Sequence, residues 1–339
     1  MTFLILAILG ALCLSTPFFN SSVTPPGQVG IMGPTSGNFI NMPAIVRAVY
    51  SQEVLFEALP KMRFLQFAKV KTDPGGYKGS SVAFTRYGNS AAITTPIGET
   101  NLLGSNALST SDVVITLDEY GFAYAFSEKQ LTLSRLDVLG DASKLLASNL
   151  ARSLDLQLMN AAVSTANIVY GAGKTTLASL ALGDGLTAAT VKNAVEVLAN
   201  NNAPKINDQY YVCIASPHQL RQLRDDAAWI DSNKYRAVND QIFLGEAGMY
   251  EGVIFIETTQ MPVLATSAVT TKYGSGFTPA FGYEAVFLGE NAIGWAVGLM
   301  PELRDDGVTN FGRIVSLAWY GIWGTGIIEG KNSVRALTA

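Results

Sequence analysis

The spacing of apolar residues along the chain predicts a mixed α+β protein. Leucines recur at every fourth position from Leu146 to Leu158, which is the spacing of one face of a helix. They predict a long helix over 141–166, the spine of an elongated molecule. Three polar side chains interrupt its apolar row: Lys144, Arg152 and Asp155.

Two segments before this helix alternate apolar and polar residues, which is the period of a β-strand. They are "SSVAFTRYG" and "SDVVITLDEYGFAYAFSE", joined by a polar connection from Asn89 to Thr110. The pattern predicts one long hairpin of two strands. Because an isolated hairpin is marginal in water, we expect it to lie on another surface, in its own chain or a neighbour.

The pattern after Thr176 is that of a compact α/β unit. "LTAATVKNAVEVLANNNAP" predicts a helix with Thr187 as its N-cap, and Ser216-Pro217 predicts a second helix start. "QYYVCIA" and "GVIFIET" are short apolar runs that predict buried strands. Further strands are predicted in "YEAVFLGE", "FGRIVSLAWYGIW" and "NSVRALTA", with three tryptophans in the core: Trp295, Trp319 and Trp323.

Composition excludes several classes of function. The 339 residues are 48% hydrophobic and only 15% charged, so the chain can bury a large core and cover surface against copies of itself. The net charge of −4 without a basic run argues against tight nucleic-acid binding. Two distant cysteines and one histidine, His218, make a disulfide framework, a zinc site or a Ser/His/Asp triad improbable. We therefore expect no catalytic, cofactor-binding or metal-binding residues.

The first twenty residues form an apolar, signal-like segment, "MTFLILAILGALCLSTPFF". A secretory signal peptide has a positive region before its apolar run, whereas the first charged residue here is Arg47. We therefore favour an uncharged N-terminal arm that lies across a neighbouring subunit. A removed signal, or a secreted or membrane-anchored protein, remains the alternative.

The string "YGAGKTT" at 170–176 raises the question of a phosphate-binding loop. Such a loop requires G-x-x-x-x-G-K-[ST], and the position of the first glycine is Ile168. We expect the long helix, not a strand, to precede it, so Gly171 and Gly173 are interpreted as C-cap glycines. An NTPase using Lys174 is the second alternative. The two "RDD" strings, at 224–226 and 304–306, are predicted to be a helix end and a turn rather than metal sites.

The order of these elements resembles the major capsid protein of tailed bacteriophages, with the Hong Kong 97 type shell fold. The strings that carry the resemblance to a family related to phage N-four include "AVYSQEVLFEALPKMRFLQFAKVKT", "TTPIGET", "LASNLARSLDLQL", "ASPHQLRQLRDDAAWID" and "GEAGMYEGVIFIET". The resemblance implies seven segments: an N-terminal arm (1–45), a first helix of the peripheral domain (46–79), an extended hairpin loop (80–128), the spine helix of the peripheral domain (129–176), an axial α/β domain (177–275), peripheral strands (276–324) and a return strand to the axial domain (325–339).

The resemblance implies a structural subunit and not an enzyme. It would assemble as pentamers and hexamers into an icosahedral virion shell in the host cytoplasm, enclosing double-stranded DNA that it contacts weakly, without a membrane. Scaffolding, portal and decoration proteins are the implied partners, and a bacterial nanocompartment shell of the same fold is the alternative. The candidate contacts between subunits are Arg86, Tyr87, Glu99, Glu119, Tyr120 and Lys174.

Overall fold

The computed structural model describes most of the chain after residue 61. All described residues belong to one compact unit, Ile40–Ala339. The predicted arm (1–45), most of the predicted first helix (46–79) and Glu99 lie outside the described residues. The described ranges are 62–72, 79–88, 90–94, 96, 107–134, 138–233, 246–307 and 310–339.

The described ranges contain both β-strands and α-helices. In chain order the strands are β1 (Ala68–Thr72), β2 (Ser81–Tyr87), β3 (Thr110–Thr116), β4 (Asp118–Ser127), β5 (Ile168–Tyr170), β6 (Tyr211–Ala215), β7 (Glu246–Tyr250), β8 (Val253–Glu257), β9 (Val263–Ala265), β10 (Phe281–Leu288), β11 (Ile293–Asp305), β12 (Ile314–Ile327) and β13 (Ser333–Thr338). The α-helices are α1 (Glu128–Leu133), α2 (Val138–Val163), α3 (Ala188–Asn200), α4 (Pro217–Arg224), α5 (Ala227–Asn233) and α6 (Thr266–Tyr273).

The described strands form three sheets. The first has four strands in the order β1-β11-β12-β4, with β1 parallel to β11 and the other pairs antiparallel. The second has seven strands, in the order β5-β13-β10-β6-β8-β7 with β9 added to β10. The third is the two-stranded hairpin of β2 and β3.

Helix α2 is the predicted spine, observed over Val138–Val163. Its leucine row is buried because it faces a core shared by both larger sheets, which includes the three tryptophans Trp295, Trp319 and Trp323. The opposite face of the seven-stranded sheet packs on α3 and α4 in a second core. The predicted burial of the leucine row and of the tryptophans is confirmed.

Both predicted helix starts are confirmed, although they are capped differently. Ser216 caps α4 with a full capping box: its hydroxyl accepts from the Gln219 N–H, and the Gln219 side chain accepts in return from the Ser216 N–H. Thr187 occupies the N-cap position of α3 without a capping hydrogen bond from its side chain. Asp226 provides a hydrogen bond at this helix start instead, because its Oδ2 accepts from the Ala188 N–H at 2.9 Å.

The prediction of one long second hairpin strand was wrong. The segment is divided at Leu117, where the Leu117 N–H donates to the Ser80 carbonyl at 2.8 Å. The half before it, β3, pairs with β2, and the half after it, β4, pairs along ten residues with β12. Among the described residues of the interval 80–128, the hairpin pairing covers Ser81–Tyr87 and Thr110–Thr116. Pairing with distant β12 decides where the rest of the alternating pattern lies.

The strands of the predicted interval 276–324 also lie in two different sheets. β10 pairs with β6 and β13 in the seven-stranded sheet, whereas β11 and β12 form the long hairpin of the four-stranded sheet. The run of five buried residues from Glu284 to Leu288 is typical of a central strand covered on both faces. The last strand, β13, lies between β10 and β5.

Candidate functional site

The hairpin of β2 and β3 rests at its base on the four-stranded sheet of its own chain. Val82 and Phe84 of β2 and Ile115 of β3 are buried together with Ala296 of β11. Beyond this cluster, the outer residues of both strands, 85–87 and 110–112, are exposed. The hairpin is thus anchored at one end and open to solvent at the other.

Two glycines of the four-stranded sheet leave room for the base of the hairpin. A Cβ on Gly324 would lie 1.9 Å from the Thr116 carbonyl oxygen, and a Cβ on Gly326 would lie 3.2 Å from the end of Ile115. The close approach of β3 therefore requires glycine at these positions. The signal in the sequence is "WGTGI", in which two glycines at i and i+2 leave one strand face bare, and we did not assign it a role.

Arg86 and Tyr87 lie on the outer part of the hairpin. The Arg86 guanidinium forms an ion pair with Glu329 and donates from Nε to the Ser111 hydroxyl at 2.7 Å. Arg86 therefore ties the hairpin to the turn before β13 in its own chain. Tyr87 is 69% exposed and is open to a contact.

Glu119 and Tyr120 lie on β4, not on the hairpin to which they were assigned. The Tyr120 ring stacks on Trp323 with ring centroids 4.9 Å apart. Burial, with a smaller contribution from Asp118, raises the pKa of Tyr120. Glu119 is exposed on the same strand.

The string "YGAGKTT" follows a strand and not the spine helix, so its interpretation as a helix C-cap was wrong. Helix α2 ends at Val163, β5 occupies Ile168–Tyr170, and Gly171–Gly173 forms a single 3₁₀ turn. Gly171 is required because a Cβ there would lie 2.2 Å from the Asp184 carbonyl oxygen. The helix ends early because β5 pairs in parallel with β13.

The geometry around Lys174 is not that of a phosphate-binding loop. Such a loop leads directly into a helix whose N-terminus faces the phosphate, whereas the next α-helix here, α3, starts at Ala188. The Lys174 Nζ lies 3.9 Å from Asp184 Oδ2. Lys174 follows β5 of the seven-stranded sheet, so the candidate contact residues that the structure describes do not form one site.

A buried carboxylate joins the spine helix to the segment before β1. Asp155 is 0% exposed, and its Oδ1 accepts from the backbone N–H groups of Arg63 and Phe64 at 2.9 and 2.8 Å. Burial raises the pKa of Asp155, and the two backbone donors only partly oppose this. Asp155 was predicted as a mere interruption of the leucine row, but it positions the residues that lead into β1.

A second buried carboxylate lies under helix α6. Glu284 is fully buried and accepts from the Lys272 Nζ at 2.6 Å and from the Tyr273 hydroxyl. Burial, and then the Glu284 charge, raise the pKa of Tyr273. The Arg335 guanidinium lies over the Tyr273 ring, 4.5 Å from its centroid. This cluster fixes α6 on β10 and β13.

The remaining candidates for chemistry have structural roles. His218 stacks on Tyr283 with ring centroids 4.3 Å apart. Arg224 ends helix α4 and pairs with Glu257 at 3.3 Å, whereas Arg304 and Asp305 end strand β11 rather than forming a turn. Within the described ranges no His, Cys, Asp and Glu cluster could hold a metal ion, and no helix has the length and hydropathy needed to cross a membrane.

Comparison with known proteins gives a consistent result. The sequence profile described as phage capsid protein matches residues 160–335. The capsid of Ralstonia phage GP4 has a TM-score of 0.65 at 17% identity, covering 80% of this chain and 87% of that one. The cyanophage Pam1 capsid has a TM-score of 0.60 at 16% identity, covering 92% of this chain and 97% of that one. The virus-like particle of Pyrococcus furiosus has a TM-score of 0.51 at 12% identity, covering 86% of this chain and 99% of that one. No curated protein sequence matches the chain.

The structural similarities establish the fold, and the profile match over more than half of the chain establishes the family. They favour a phage head over the nanocompartment alternative, and the family is a structural one. The chain therefore belongs to the phage capsid protein family, and it is a shell subunit of a phage head with the Hong Kong 97 type fold.

Proposed function

We propose that the protein assembles, as pentamers and hexamers of one chain, into a closed icosahedral shell around double-stranded DNA, and that its hairpin overlaps a neighbouring subunit. The observation that carries the proposal is the hairpin itself. Its base packs on two glycines of the four-stranded sheet. Its outer residues 85–87 and 110–112 are exposed, and among the described strands β2 and β3 pair only with each other. A two-stranded ribbon of this kind gains stability by lying on another surface.

The two larger sheets correspond, in this proposal, to two domains of the subunit. The four-stranded sheet with helix α2 is the peripheral domain that carries the hairpin. The seven-stranded sheet is the axial domain, whose loops meet around the five-fold and six-fold positions, and β13 is its return strand. Of the candidate contacts, Tyr87 and Glu119 have exposed side chains suited to a neighbour, and Glu99 belongs to the same proposal.

Contacts with the genome are weak in this proposal because the chain carries a net charge of −4. A container wall of this charge repels phosphates at long range and leaves DNA free to be packed and released. Scaffolding, portal and decoration proteins are the further partners of a shell that is assembled in the host cytoplasm.

A shortened hairpin tests the proposal. Residues 88–109 are replaced by Asn-Gly, which suits a two-residue turn between the paired residues Tyr87 and Thr110. We expect the variant to keep its unfolding temperature as an unassembled subunit but to form no closed shells in electron micrographs, whereas the full-length chain forms them. Shells of normal size from the shortened variant would refute the role of the hairpin.

A further inference from the structure

Phe311 is held out into solvent by a strained turn between β11 and β12. Its side chain is 100% exposed, the highest value for a large hydrophobic residue among the described ranges. Its φ is 58°, between Asn310 at 50° and Gly312 at 86°, so three successive residues are left-handed. A bulky residue rarely adopts this conformation, and it persists where the surrounding structure fixes it, often at functional positions.

The turn that presents Phe311 is tied to the neighbouring chain segment. The Arg313 N–H donates to the Asn310 carbonyl at 3.2 Å, and the Arg313 carbonyl accepts from the Glu128 N–H at 2.9 Å. These bonds join the turn to the start of helix α1. The backbone around Phe311 is therefore anchored to the fold, while its ring is exposed.

A groove of about 620 Å³ lies beside the turn, and the Phe311 ring does not fill it. Its apolar part includes Leu133, which is 72% exposed, and Ile314. Lys129 and Arg313 line the same groove, together with the carboxylate residue Glu128. Apolar side chains with cations beside them suit an aromatic ring, which gains both from burial and from cation–π attraction.

We infer that Phe311 of one subunit inserts into the groove of a second copy of this chain. The inference rests on the proposed shell, which brings many copies together. Because ring and groove lie on one patch of the surface, each of two facing subunits can offer both, so the contact can be reciprocal and closed by symmetry. A buried aromatic anchor in a pocket is the kind of residue that carries much of the energy of an interface.

Cysteine pairing between two variants tests the contact. Phe311→Cys and Leu133→Cys are made separately in a Cys13→Ser background, where Cys213 is buried, and the two are co-assembled and mildly oxidised. We expect a covalent dimer of one subunit of each kind on denaturing gels. In the control, Leu182→Cys replaces Phe311→Cys, because Leu182 is 84% exposed and lies outside the patch. This pair should give no covalent dimer. Shells without the Phe311→Cys/Leu133→Cys dimer overturn the inference.

The assembly threshold is an independent measurement. We expect Phe311→Ala to raise the protein concentration needed for shell formation by about tenfold or more. Its unfolding temperature as an unassembled subunit should not fall, because the ring is fully exposed. An unchanged threshold, with normal wild-type shells, overturns this inference and leaves the proposed function standing. A wild-type chain that forms no shells overturns both.

Discussion

Gly324 lies under strand β3 and leaves no room for a side chain. The Cβ of a Gly324→Ala variant would lie 1.9 Å from the Thr116 carbonyl oxygen and 2.8 Å from Ile115 Cγ2. Real Cβ atoms essentially never approach other atoms within 3.0 Å, so β3 would have to move by at least about 1 Å. A change of rotamer cannot relieve the clash, because the nearest atom belongs to the backbone.

Two routes lead to the same expected cost. Overpacking of a well-packed site costs about 1–3 kcal/mol. If the hairpin base lifts instead, the main loss is the burial of Ile115, which is 5% exposed and whose burial contributes about 1.5–3 kcal/mol. Each kcal/mol lowers the unfolding temperature of a domain of 150–250 residues by about 2–4 °C. We therefore expect Gly324→Ala to unfold about 2–12 °C below the wild type.

The assay is thermal unfolding of the unassembled subunit, together with amide hydrogen exchange of β2 and β3. Gly326→Ala should give a smaller loss, because its Cβ would meet only the end of the Ile115 side chain, at 3.2 Å. Gly330→Ala is the matched control, since the nearest atom lies at 4.0 Å, and it should stay within about 0.5 kcal/mol of the wild type. Equal stability and equal hairpin exchange in the Gly324 and Gly330 variants would refute the reasoning.

Three further predictions concern buried groups. Burial raises the pKa of Asp155 above its usual value of 3.8, so the folded state binds the proton more tightly than the unfolded state. Its contribution to stability is thus present at acid pH and is lost as pH rises through the folded pKa. The Asp155→Asn variant should not show this loss of stability with rising pH, measured as urea midpoints against pH. The control variant Asp141→Asn, at an exposed residue, should still show it. In urea titrations, Trp323→Ala should lower the free energy of unfolding by about 3–5 kcal/mol. Trp323→Phe should lower it by less, because it keeps a six-membered ring and loses only the pyrrole part of the indole with its Nε1–H bond to Gln157. Lys272→Met leaves the buried Glu284 carboxylate without its cation and should cost about 3–5 kcal/mol, whereas the double variant with Glu284→Gln should recover most of that loss in thermal unfolding.

Each of these predictions has a clear contrary result. A pH dependence that survives Asp155→Asn would mean that another group causes it. Equal losses for the two Trp323 variants would mean that ring volume does not determine the stability there. A double variant no more stable than Lys272→Met alone would show that the Glu284 charge is not what makes the single change costly.

The sequence carried enough information to predict the elements with strong local patterns. Helix α2 was predictable because a row of leucines at a spacing of four can be buried only by a helix. The start of α4 was predictable because Ser216-Pro217 contains its own capping chemistry. The family resemblance came from many strings in order, and the profile match over residues 160–335 agrees with it.

What the sequence did not reveal depends on pairing between distant residues. Nothing local distinguishes the half of the alternating segment that joins β2 from the half that joins β12, because both have the same period. β5 is only three residues long and is a strand only because β13 lies beside it. The role of Asp155 was hidden for the same reason, since its partners are backbone N–H groups of Arg63 and Phe64, far away in the chain.

The position of β13 has a consequence for how the subunit is made. Strand β13 pairs with β5 on one side and with β10 on the other, as in the pairs Arg335–Ile168 and Val286–Arg335. During synthesis β5 and β10 leave the ribosome long before β13, so the seven-stranded sheet stays open until this strand arrives. Such distant pairings fold slowly and expose strand edges meanwhile. The seven-stranded sheet is therefore complete only once β13 has been made, and until then the facing edges of β5 and β10 have no strand between them.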